Sequence, residues 1–103
     1  MRLRYRIHLE EPHEARVRTF AREVEFWPFP GLPTAGDAVL IEVPSTGAMD
    51  NLGARAVERV IYSPATNEAY IDFRVRSGEA WIGGIDEQAE LIQRAGFREV
   101  RTG

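Results

Sequence analysis

Apolar and polar side chains alternate through the first nine residues. Leu3, Tyr5, Ile7 and Leu9 share one parity, while Arg2, Arg4, Arg6 and His8 share the other. This period of two predicts a strand with one buried face and one wet face. Glu10, Glu11, Pro12, His13 and Glu14 then read as a turn, because a proline and clustered acids cannot continue a ladder.

A longer strand is predicted from about Arg16 to Trp27. Its phase is imperfect: Val17 has one parity, and Phe20, Val24 and Phe26 have the other. A bulge near Arg18 and Thr19 would reconcile the two by inserting one residue. With Phe20, Val24 and Phe26 inward, Glu23 and Glu25 face water, close enough to Arg2 and Arg4 for cross-strand ion pairs.

Residues 27–33, Trp-Pro-Phe-Pro-Gly-Leu-Pro, hold too much proline for a central strand. Gly36 and Asp37 form a turn, and residues 38–43 a third strand with Val39, Ile41 and Val43 on one face. Residues 45–54 are polar and glycine-bearing, hence a loop. Two further strands are expected at about 56–62 and 69–76, joined by turn chemistry at Pro64 and Asn67. The second alternates clearly, with Ile71, Phe73 and Val75 against Tyr70, Asp72, Arg74 and Arg76. A short strand at 80–82 is also expected. Met49, Leu52, Ala56 and Val60 fit helical spacing as well, but Val57, Val60, Ile61 and Tyr62 favour a strand in the second half of that segment.

One helix is predicted over 87–95. Asp86 supplies an N-terminal cap, Glu87 and Glu90 complement the positive end of the dipole, and Arg94 the negative end. Gly96 provides a left-handed residue after the last turn, with Phe97 placed to reach Ile92 in a Schellman motif. Residues 97–100 add an edge strand.

This order predicts a single domain over residues 1–103 that is mainly β (α+β): a small, partly open SH3-like or OB-like barrel of five to six antiparallel strands with one C-terminal helix. The alternative is an open antiparallel sheet with one or two helices on one face. Leu32-Pro33-Thr34-Ala35-Gly36-Asp37-Ala38-Val39, the Val57-x-x-Val60-x-Tyr62-x-Pro64 hairpin and Tyr70-x-Asp72-x-Arg74 together resemble short uncharacterised bacterial proteins in which an LPxxGDxV turn opens an SH3-like barrel. The likeness covers about the middle 45 residues. It implies a fold and carries no catalytic residues.

Composition narrows the function classes. At 103 residues, 44% hydrophobic and 28% charged, the chain has room for one core and the profile of a globular protein. It has no cysteine, which removes disulfides and thiolate chemistry and fits a reducing cytoplasm. The charged residues in the N-terminal alternation do not suit a signal peptide, and no stretch has the length of a membrane span, so a cytoplasmic location and no membrane partner are expected. The net charge of −3 argues against a surface that attracts nucleic acid everywhere. All thirteen basic residues are arginine, as a GC-rich bacterial genome would produce.

No constellation for catalysis stands out. His8 and His13 lie among Glu10, Glu11 and Glu14, a set that suits a metal only if the fold makes it converge. Asp37 reads as a turn residue, Asp86 as a helix cap and Asp72 as a cross-strand partner of Arg59, which leaves Glu42 and no acid pair for acid–base work. Ser45, Ser63 and Ser77 lack a nucleophile's context, and Asp86 would repel an anion from the helix end that follows Gly83 and Gly84. No catalytic residue, metal ligand or cofactor is therefore assigned, which weighs against an enzyme.

Two surfaces remain. Arg2, Arg4, Arg6, Arg74 and Arg76, with Tyr70 among them, could form a nucleic-acid face, although the interleaved Glu23, Glu25 and Asp72 suit a salt-bridged surface better. Trp27, Phe29 and Leu32 sit on a proline-stiffened loop, and Trp81 is grouped with them. They either plug the end of the fold or form an interaction patch. The leading expectation is a non-enzymatic protein-interaction or self-association module, a homodimer included. The alternatives are weak nucleic-acid binding and a small-molecule pocket or minor enzyme.

Overall fold

The fold is described from a computed structural model, over residues 1–11, 13, 15–41, 53–76 and 85–100. The expected strand at 80–82, the loop at 45–52, Val43, Glu42, Ser45, Ser77, Gly83, Gly84 and Trp81 lie outside the described residues.

Seven strands and one helix are described: β1 (Arg2–Glu11), β2 (Arg16–Glu23), β3 (Ala38–Leu40), β4 (Ala54–Ala56), β5 (Arg59–Ser63), β6 (Glu68–Arg76), α1 (Ile85–Arg94) and β7 (Arg98–Val100). The larger sheet has the order β5-β6-β1-β2-β7, and β3 and β4 form a separate ribbon. The mainly β fold with one C-terminal helix is as the sequence predicts. Of the two architectures weighed, the open sheet with a helix on one face is the one that forms. The described strands close no barrel, and β5 and β7 remain edges. The sheet is also mixed: β6 runs parallel to β1, while the other pairings are antiparallel.

β1 lies at the centre because its apolar parity can be buried from both sides. Leu3, Tyr5, Ile7 and Leu9 join Phe20 of β2, Ala69, Ile71, Phe73 and Val75 of β6, and Ile85, Ala89 and Ile92 of α1 in one core. Ile41, just past β3, and Val57, just past β4, belong to the same core, against which Val39, Trp27 and Leu32 also pack. The helix ends as its sequence predicts. Gly96 takes φ +90°, Phe97 N–H donates to Ile92 O, and Gly96 N–H donates to Gln93 O. Those two bonds are the Schellman pair.

Several predicted details change. The β1–β2 register runs unbroken from Glu11 opposite Arg16 to Arg4 opposite Glu23, so there is no bulge at Arg18–Thr19. Val17 simply faces outward. β1 extends through Glu11, and β2 ends at Glu23 rather than Trp27, leaving Phe26 exposed instead of inward. The helix begins at Ile85, which puts Asp86 inside the first turn rather than at the cap. There its carboxylate lies 3.3 Å from Arg18 Nη1.

The strand expected at 56–62 is broken in two. Val57 N–H donates to Asp37 O in the ribbon, whereas Glu58 N–H donates to Asp72 O in the large sheet. The chain changes sheet at that corner. No helix forms in the described part, residues 53–60, of the segment at 48–60 that also fits helical spacing.

The turn before β3 follows from its residues. Asp37 N–H donates to Thr34 O, and Gly36 sits at φ +94°. Gly36 N–H donates to Val57 O, and Val57 N–H to Asp37 O, so two residues oppose one. This is a glycine bulge, and it needs a residue that tolerates positive φ. The Asp37 carboxylate accepts from Thr34 N–H at 2.8 Å and closes the turn.

Candidate functional site

Two places on the described surface gather unusual side chains. The first is the sheet face away from the core, where the even-numbered residues of β1 and β6 point. Asp72 sits there fully buried. It lies directly opposite Arg6 on one neighbouring strand and Arg59 on the other. Arg6 grips it through Nε–Oδ1 and Nη2–Oδ2, both 2.8 Å, and Arg59 Nε donates to Oδ2 at 3.1 Å. His8 Nε2 approaches Oδ2 at 3.3 Å without hydrogen-bond alignment, while Nδ1 lies 3.1 Å from Thr19 Oγ1.

Burial alone would raise the Asp72 carboxyl. The contacts from His8, Arg6 and Arg59 outweigh it and hold the group well below the usual carboxylate range. The Arg6 guanidinium also stacks over the Tyr70 ring, 4.7 Å from its centroid. Tyr70 donates to Glu68 Oε2 at 3.0 Å, which pushes the phenol upward.

The other arginines proposed for nucleic acid are matched by acids. Arg2 lies 3.6 Å from Glu23 and Arg4 3.3 Å from Glu68. Arg74 reaches Glu10 at 3.3 Å and Glu58 at 3.1 Å, and Arg76 lies 3.8 Å from Glu10. Such pairing leaves little net field for a polyanion. Among the described residues no three His, Asp or Glu side chains come together as a metal site. Nor is any described helix long and apolar enough to cross a membrane.

The second place is a groove of about 630 Å³ beside residues 26–33. Trp27 and Phe29 pack edge to face with centroids 5.4 Å apart, and the indole N–H donates to Gly31 O at 2.9 Å. Trp27 is thereby fixed and its one donor used. Trp27 and Leu32 pack partly against the core, whereas Phe29 is 63% exposed and Phe26 78%. The base of the loop is thus anchored in the core, and its rim is exposed. Trp81 lies outside the described residues. Phe26 was missed because a strand was expected to run through it.

The groove's other wall is β3, with Leu40 half exposed. Among the described residues β3 has a ladder partner on one side only, β4. Ile41 N–H donates to Gly53 O, and Val57 N–H to Asp37 O. In an antiparallel ladder bonded pairs alternate, so Val39 bonds Arg55 while the N–H and C=O groups of Ala38 and Leu40 point away from β4. Aromatic rings on one side and an unpaired strand edge on the other suit an extended chain. Among the described residues Asp37 is the one charged residue lining the groove, and its carboxylate is turned to Thr34. Compared with known proteins, the chain matches no family model, no curated protein and no solved structure.

Proposed function

We propose that this protein is a non-enzymatic interaction module that takes an extended, apolar segment of a protein partner as an added strand on β3. The observation that carries the reading is the edge of β3 that has no strand partner among the described residues and faces Phe26, Trp27 and Phe29 across one groove. Main-chain bonds to Ala38 and Leu40 would supply affinity. Every second side chain of the segment would fall between the rings and supply selectivity. A large apolar residue suits that position, because the described lining offers rings, prolines and Leu40, and its one charged group, Asp37, is turned to Thr34.

Catalysis has less support. The tightest polar cluster, around Asp72, contributes no residue to the groove. The aromatic rim is also what a stable monomer has least reason to keep exposed.

Selection from a displayed peptide library tests the reading. Enriched sequences should be extended, with an apolar anchor, and Phe29→Ala should weaken them at least tenfold while leaving the melting temperature unchanged. N-methylating alternate residues of a selected peptide should abolish binding in one phase of alternation and spare it in the other. A library that yields no binder, or a binder indifferent to Phe29→Ala, would sink the proposal.

A further inference from the structure

On the sheet face opposite the core, four arginines have their charge met by carboxylates: Arg2 by Glu23, Arg4 by Glu68, and Arg74 and Arg76 by Glu10 and Glu58. Arg6 and Arg59 differ. They share a single carboxylate, Asp72, and both bond the same oxygen, Oδ2. One positive charge is left in excess there, with His8 beside it. The two guanidinium groups are neighbours held in place from beneath by a fully buried acid. Arg6 is fixed further by its stack on Tyr70.

We infer that Arg6 and Arg59 form a binding site for a small phosphate-type oxyanion. The bonds to Asp72 occupy Arg6 Nε and one Nη2 hydrogen and Arg59 Nε. A guanidinium carries five N–H donors. Among the described residues, both Nη groups of Arg59 have no assigned partner, and its side chain is 56% exposed. Two forks pre-set by one carboxylate lose little freedom on binding, and planar forks match the paired oxygens of a phosphate.

The surroundings decide the size of the ligand. Glu10 on β1, Glu68 on β6 and Glu58 just before β5 are already paired with their arginines. A second phosphate along a nucleic-acid strand would meet neutralised or acidic surface, so the site fits one phosphate monoester on a small molecule rather than a polymer. It shares no residue with the aromatic groove, and either proposal can fail without the other.

The test is an amide-shift titration of the intact protein with inorganic phosphate, and in parallel with a single-stranded oligonucleotide. Phosphate at millimolar concentration should move the amides around Arg6 and Arg59. Arg59→Gln should weaken binding about tenfold, the loss of one charge-assisted bond pair, and Arg6→Gln should do the same, while Arg2→Gln should leave it unchanged. Retained thermal melting in Arg59→Gln would show that the fold is intact. No shift at these residues, equal weakening by Arg2→Gln, or tighter binding of the oligonucleotide than of phosphate would overturn the inference.

Discussion

Asp72 is kept from water by two arginines and a histidine, and its energetics follow from that enclosure. Its carboxyl titrates below its unfolded-state value, so the network contributes fully above the ordinary carboxylate pKa of about 4 and is lost as pH falls beneath it. Asp72→Asn should therefore cost about 2 kcal/mol at pH 7, short of a fully buried ion pair because both arginines reach solvent. The gap from wild type should start to narrow as pH falls below about 4 and keep narrowing down to the depressed value of the folded state. Urea melts of both proteins across that range measure it, and a pH-independent gap would contradict the assignment.

The pairing of Asp72 with Arg59 is legible in the sequence, because the two fall on successive strands joined by a short turn. The second partner, Arg6, is not. Alternation says which face a residue takes but carries no strand direction, and β6 meets β1 in parallel across an excursion of more than half the chain. Arg18 and Arg22 were equally hidden. They share the parity of Phe20, and their charged ends lie at the two ends of α1, on Asp86 and on Ala95 O.

At the scale of elements, the helix is the best specified. Its acidic start, basic last turn and glycine stop lie within one short segment, and local chemistry alone sets them. Gly96 carries most of the termination: φ is +90°, and an added Cβ would come within 3.4 Å of Arg22 Cδ. Gly96→Ala should destabilise the fold by about 1 kcal/mol, read from denaturant midpoints at constant m. No change would mean the last turn rearranges freely. Strand ends were less legible. β2 stops at Glu23 although apolar residues of the same parity continue, because Pro28, Pro30 and Pro33 lead the chain away from the sheet. The expected bulge disappears for a simple reason: an exposed Val17 costs little, so no inserted residue is needed to hide it.

At the scale of the molecule, the sequence predicts a small, partly open barrel, whereas the described strands of the large sheet stay open. The β3–β4 ribbon accounts for the difference. The chain leaves the large sheet after β2, builds the ribbon and returns at Glu58, so Ile41 and Val57 help close the core that a barrel would have closed with strands. Among the described residues the same detour leaves β3 with one unpaired edge beside the aromatic loop. Phe29→Ala should not alter stability, since the ring is largely exposed, whereas Trp27→Ala should cost about 2 kcal/mol because the indole packs on the core. Equal thermal shifts for the two variants would contradict this division between anchor and rim.

Amide hydrogen exchange along β3 is the most direct test of the whole account. In the free protein Val39 and Ile41 should exchange slowly and Ala38 and Leu40 quickly, and a selected peptide should slow those two amides. Slow exchange at Ala38 and Leu40 in the free protein, or protection by the peptide that falls elsewhere, would show that the edge is not where a partner docks.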